Sequence, residues 1–242
     1  MNMLRKKKNS FVLFGQGRSG STLLKELLNS HPEITCEGEL FNTKEKYITS
    51  SFMLRLIQKF PLAYFKYRRF ISRSPIYGFT LLQYQASDPA KILHKLQDAG
   101  WEIIHISRKN LLSQCMSQLI ANKTNLWHRR EDQTDTGMTV HITLQEMITE
   151  LINWNSGKIR ERKNLKGITT IKVVYEDDLF DKNNWEQTTA KIFNQLGTYP
   201  SSVQTSLQKT HNRHYSEIIE NYDELIEKIK ELNLLTIQDV FN

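Results

Sequence analysis

At 242 residues, with 39% hydrophobic and 24% charged residues, the chain is long enough for one large core and too mixed in composition to be disordered or fibrous. We read 1–242 as a single domain. A formal net charge of +7 predicts an anionic partner, and charge alone does not choose among a phosphorylated small molecule, a nucleic acid and a membrane surface.

Residues 11–14 are an apolar run that ends in a glycine-rich turn, and Leu23, Leu24, Leu27 and Leu28 follow at helical spacing. His31-Pro32 ends that helix, because proline disfavours the helical conformation of the residue before it. A second short strand is expected at 34–37. Residues 47–73 mix Lys66, Arg68, Arg69 and Arg73 with Tyr64, Phe65, Tyr67 and Phe70, which predicts helices with a solvated basic face. A strand is expected at 76–82 and a helix at 89–99, capped by Asp88 and ended by Gly100. Residues 103–106 read as a buried strand, followed by a helix to about residue 120. The polar segment 122–140 reads as a loop able to close over a ligand. A helix at 144–162, a strand at 168–174 and a helix at 185–196 come next. Ile218, Tyr222, Leu225, Ile229 and Leu232 then form one amphipathic stripe. This alternation predicts an α/β fold, P-loop-like, three-layer α/β/α with a central parallel sheet.

Cys36 and Cys115 suit neither a disulfide framework nor a zinc site, so a reducing compartment is expected. Arg5, Lys6, Lys7 and Lys8 begin like a signal peptide, but the apolar run after them is too short for one, and no run reaches transmembrane length. A cytoplasmic location is the expectation.

The segment Gly15-Gln16-Gly17-Arg18-Ser19-Gly20-Ser21-Thr22, between the first strand and helix, has what phosphate binding needs. Glycines let backbone N–H groups converge, a helix N-terminus adds partial positive charge, and hydroxyls donate further bonds. Gly15 and Gly20 fit the nucleotide P-loop spacing, but Ser21 occupies the lysine position and the cation is Arg18 instead. A serine-hydrolase elbow starting at Gly17-Arg18-Ser19 fails because its second glycine would be Ser21.

Arg18-Ser19-Gly20-Ser21-Thr22 resembles the 5′-phosphosulfate loop of sulfotransferases that use 3′-phosphoadenosine 5′-phosphosulfate (PAPS), most closely the arginine-type branch of carbohydrate, tyrosyl-protein and bacterial glycolipid enzymes. The resemblance implies that Arg18 grips the sulfate and bridging oxygen while Gly17, Ser19, Gly20, Ser21 and Thr22 hold the 5′-phosphate. It also implies an arginine and a helical serine for the 3′-phosphate. Arg108 with Ser117 resembles that pair at a spacing of nine residues, whereas Lys109 with Ser117 has the usual eight; we favour Arg108, which follows the strand directly and can fork onto phosphate. Val174-Tyr175-Glu176-Asp177-Asp178-Leu179 resembles the family's last strand-to-helix segment. Lys209 and Arg213 lie where relatives carry a basic loop over the nucleotide, and Thr80 stands where relatives commonly carry lysine.

Sulfuryl transfer needs a base for the acceptor hydroxyl or amine and a cation for the leaving phosphate. His31-Pro32 precedes Glu39 much as a His-Pro precedes the glutamate base of the tyrosyl-protein type, so Glu39 is the expected base, with Glu37, His105 and His128 behind it. A second strand running beside the first would bring Glu39 next to Arg18. His31 reads as a surface cap, and His211 and His214 as surface residues with no metal role. Trp127 and His128 are candidates for an acceptor loop. The acceptor is expected to be a small molecule, glycolipid or carbohydrate; no nucleic-acid partner is expected. An atypical P-loop kinase, or a basic module that binds nucleic acid or anionic lipid, is the alternative.

Overall fold

The computed structural model describes residues 9–41, 57, 59–130, 137–208 and 213–232. In chain order the strands are β1 Ser10–Gly15, β2 Ile34–Glu39, β3 Ile76–Leu82, β4 Glu102–Ser107, β5 Arg129–Arg130, β6 Ile171–Val174 and β7 Leu207–Gln208. The helices are α1 Ser21–Asn29, α2 Pro61–Ile71, α3 Pro89–Asp98, α4 Leu111–Thr124, α5 Leu144–Asn164, α6 Trp185–Gln195, α7 Tyr215–Ile218 and α8 Tyr222–Glu231. They form two compact units, residues 1–107 with 160–205 and residues 108–159 with 206–242.

The first unit is a five-stranded parallel sheet in the order β2-β3-β1-β4-β6, flanked by helices. Strand side chains alternate between faces. Phe11, Leu13, Cys36, Ile104 and Ile106 therefore meet Leu24, Leu27 and Leu28 of α1 on one side. Val12, Phe14, Tyr77, Phe79 and Ile103 meet Phe65 of α2 and Leu93 and Leu96 of α3 on the other. Each such apolar side chain contributes about 1.5–3 kcal/mol when fully buried. Asp88 caps α3 by accepting from the Lys91 N–H at 3.0 Å, as the sequence predicts.

The expectation that β2 runs beside β1 is corrected: β3 lies between them. The reason is in the strands' composition. All seven residues of β3 are buried, so it needs a neighbour on each edge and cover on both faces. In β2 buried positions alternate with half-buried ones that include Glu37 and Glu39, which suits an edge strand.

Residues 168–170, expected in a strand, precede β6 instead. Of the expected helices in 47–73, α2 and the helical residues Ile57 and Lys59 fall on described residues; 47–56 and Gln58 lie outside them.

The second unit is centred on Leu112, Cys115, Leu119, Met147, Leu151, Leu225 and Ile229. Segment 122–140 is not all loop, since α4 continues to Thr124 and β5 pairs antiparallel with β7. The expected stripe at 217–232 is broken. Ile219 bridges to Val140, and the Glu220 N–H donates to the Val140 carbonyl at 2.9 Å, which separates α7 from α8. Ile218, Leu225 and Ile229 are buried, while Leu232 is 52% exposed. No helix among the described residues is long and apolar enough to cross a membrane.

Candidate active site

The loop at 15–22 joins the carboxyl end of β1 to the start of α1, the place where open parallel sheets put their ligands. Two glycines make its geometry possible. A Cβ on Gly15 would lie 2.2 Å from the Ile106 carbonyl oxygen, so only glycine lets β1 end this close to β4. Gly20 has φ +90° and caps α1 in the left-handed region, where a Cβ would also meet the Tyr175 ring at 2.6 Å. Arg18 is left-handed as well, with φ +55°, a conformation that costs a non-glycine residue about 1–2 kcal/mol.

The Ser19 hydroxyl is buried and donates to the Gln16 carbonyl at 2.7 Å, closing the turn from inside. Gly20 supplies no side-chain cap to α1. The first-turn amides of α1 have no carbonyl within the helix to bond, and together with the positive end of the helix dipole they favour an anion there. Ser21 is buried in that turn and Thr22 is half-buried beside it.

Glu37 and Glu39, two residues apart, do not share a face. A one-residue shift at Gly38 pairs Glu37 with Phe79 and Glu39 with Thr80, which face opposite sides of the sheet. Glu37 accepts a two-pronged bond from Arg68, through Nε at 3.0 Å and a second guanidinium nitrogen, and a third bond from the Tyr77 hydroxyl at 2.6 Å. The bond to Glu37 raises the Arg68 pKa above its ordinary value, and burial first, then the bond to Glu37, raises that of Tyr77. Glu37 is thereby the anchor of α2 against β3.

Glu39 lies on the α1 side of the sheet, where its Oε2 accepts from Gln85 Nε2; Gln85 Oε1 in turn accepts from the Leu82 N–H at 2.9 Å. With β3 between β2 and β1, Glu39 stands two strand spacings from β1, about 10 Å. Thr80 occupies the strand between, with its hydroxyl buried and without a hydrogen-bond partner among the described residues.

The other predicted site residues divide. Arg108 is half-buried and donates to Ser113 Oγ at 2.6 Å, one helical turn before Ser117 on the same face of α4. Lys109 is exposed. Arg213 donates to the carbonyls of Glu217 and Met138 at 3.1 and 2.8 Å. Lys209 and His211 lie outside the described residues. His105 pairs with Glu161, and Trp127 and His128 are exposed.

His31 is not the expected surface cap. It is 1% exposed, donates to the Tyr199 carbonyl through Nε2 at 3.0 Å and accepts from the Glu33 N–H at Nδ1, and packs at a tilt against the rings of Phe193 and Tyr199. Burial also raises the thiol pKa of Cys36 and of Cys115, which disfavours a thiolate nucleophile at either.

Sequence reasoning did not single out Ser113 or Gln85. Ser113 was legible in principle, because it shares a helical face with Ser117; Gln85 carries no local signal. Among the described residues no group of three or more His, Cys, Asp or Glu side chains is arranged to hold a metal ion.

Residues 10–72 match the model of the "Sulfotransferase family" and residues 83–224, more than half of the chain, match "Stf0 sulphotransferase". The fold matches that of a sulfotransferase from Alicyclobacillus acidocaldarius with a TM-score of 0.53 over 96% of this chain and 94% of that one, at 12% identity. No curated protein matches the sequence. With the second of these models covering more than half of its length, the chain belongs to the sulfotransferase family.

Proposed function

We propose that the enzyme transfers the sulfuryl group of PAPS to a hydroxyl or amine of a small-molecule, glycolipid or carbohydrate acceptor. The observation that carries this reading is the Gly20 cap. A left-handed glycine gives α1 no side-chain cap, and a Cβ there would strike the Tyr175 ring, so the turn that presents the first α1 amides needs glycine at this position. A 5′-phosphate fits that donor set.

Ser21 and Thr22 would add hydroxyls to it, while Ser19, its hydroxyl committed to Gln16, would contribute through its backbone N–H together with Gly17 and Gly20. The 3′-phosphate falls to Arg108 and Ser117, and Lys209 and Arg213 complete the nucleotide site. When bound, PAPS supplies an activated sulfuryl group on a phosphate leaving group. Arg18 offsets the negative charge that grows on the leaving oxygen, an interaction stronger in the transition state than before it. Glu39 accepts the acceptor's proton, with Gln85 holding its carboxylate in place. The reading takes 1–242 as one catalytic domain and includes a cytoplasmic location, in keeping with two buried free thiols.

Calorimetric titration with 3′,5′-adenosine bisphosphate tests the donor without knowledge of the acceptor. Affinity in the micromolar range or tighter is expected, about −8 kcal/mol or better. Arg108→Ala should lose about 1.5–3 kcal/mol of it and Lys109→Ala little. Absence of binding at millimolar concentration refutes the reading.

A further inference from the structure

The outer face of α2 is unlike the rest of the first unit's surface. Three inward contacts fix the rotation of this helix about its axis: Pro61 and Phe65 are buried, and Arg68 reaches Glu37. The opposite arc is consequently turned to solvent, and it carries Ala63, Tyr67, Phe70 and Ile71. Tyr67 is 58% exposed, Phe70 83% and Ile71 45%, and Phe60, immediately before the helix, is 53% exposed. Single exposed apolar residues need no explanation, but four along one helical arc do.

Cations border the same arc. Lys59 lies 5.6 Å from the Phe60 ring centroid. Lys66 and Arg73 are exposed, and Arg69 is held at the helix end by the carbonyls of Ser74 and Pro75. From Lys46 to Ser87 the sequence contains no aspartate or glutamate. A helix face with protruding aromatic and aliphatic side chains and basic flanks, in a segment without acidic residues, is complementary to one environment above others: the headgroup zone of an anionic bilayer, where rings enter the acyl boundary and cations meet lipid phosphates. A nucleic-acid surface would put cations foremost, whereas here Phe70 protrudes furthest.

We propose that the outer face of α2, through Tyr67, Phe70 and Ile71 with Lys59, Lys66 and Arg73, docks the protein on an anionic lipid surface. The helix lies on the membrane and does not span it, and the inference stands apart from the donor and acceptor assigned above.

The test is co-sedimentation of the full chain with vesicles of phosphatidylcholine alone and of phosphatidylcholine mixed with phosphatidylglycerol. Binding is expected to the mixed vesicles only and to weaken as salt rises. Lys66→Ala and Arg73→Ala should each weaken it about fivefold. Phe70→Ser, which leaves the charge unchanged and alters an exposed side chain, should weaken it about tenfold; Tyr67→Ser provides a second apolar variant, and circular dichroism checks that both are folded. Failure to bind the mixed vesicles overturns the proposal. So does binding indifferent to both Phe70→Ser and Tyr67→Ser, and so does a single-stranded oligonucleotide that binds more tightly than the vesicles and displaces them, which would assign the face to nucleic acid.

Discussion

Replacing Glu37 by glutamine separates anchoring from chemistry at the end of β2. Glutamine keeps the shape and an oxygen to accept from Tyr77, but it loses the charge that holds Arg68 in a two-pronged bond. Breaking a fully buried pair costs about 3–5 kcal/mol, and an exposed pair is worth about 0–1. The Arg68 and Glu37 side chains are 19% and 16% exposed, between those limits. With the Tyr77 bond kept, a loss of about 2 kcal/mol is expected, which for a chain of this size lowers the melting temperature by about 4–8 °C. The assay is thermal unfolding of the wild type, Glu37→Gln, Arg68→Met and the double variant, with sulfate transfer measured on each. The double variant should lose less than the sum of the singles, because it leaves no uncompensated charge. An unchanged melting temperature with collapsed turnover in Glu37→Gln would refute the anchoring account and make Glu37 the base.

Glu39→Gln should do the opposite: melting temperature within about 1–2 °C of the wild type, bisphosphate still bound, and turnover down roughly 10²-fold. Gly20→Ala should lose stability, by about 1–2 kcal/mol for the left-handed φ alone and more for the Cβ that meets the Tyr175 ring at 2.6 Å, and should lose bisphosphate affinity as the turn shifts to relieve that clash; a stable, binding-competent Gly20→Ala would refute the role of this turn. At the start of α5, Glu146 pairs with Lys123 and accepts from the Thr143 N–H, and these bonds lower its carboxyl pKa from 4.5. A lowered folded-state pKa stabilises above the ordinary carboxylate value and is lost as pH falls below it, so the melting temperature should drop between about pH 5 and 3, and less steeply in Glu146→Gln.

Much of the first unit was legible because its elements carry their own boundaries. β1 and α1 are apolar runs of different period joined by glycines, and α3 starts at Asp88-Pro89 and stops at Gly100. What failed depended on partners far along the chain. The stripe at 217–232 reads as continuous until Val140 takes Ile219 into a bridge. His31 reads as a surface cap because it sits at a helix terminus, yet its partners, Phe193 and Tyr199, come from more than 160 positions later. The turn around Arg18 was legible for the opposite reason: its backbone path depends on Gly15 and Gly20, and residues 15–22 encode that locally.

Glu37 and Glu39 show where local reading of a site must stop. By strand alternation they share a face, and a sequence argument can rank them only by spacing from His31-Pro32. The register shift at Gly38 divides them instead: Glu37 turns to the side where Arg68 and Tyr77 wait, and Glu39 to the side covered by α1. Glu37 has both carboxylate oxygens committed to Arg68 and Tyr77, which ties it to α2 and β3. Glu39 accepts from the neutral amide of Gln85. Two chemically identical side chains thus acquire different partners from a single extra residue in the backbone, and the residue that decides between them, Gly38, has no functional group at all.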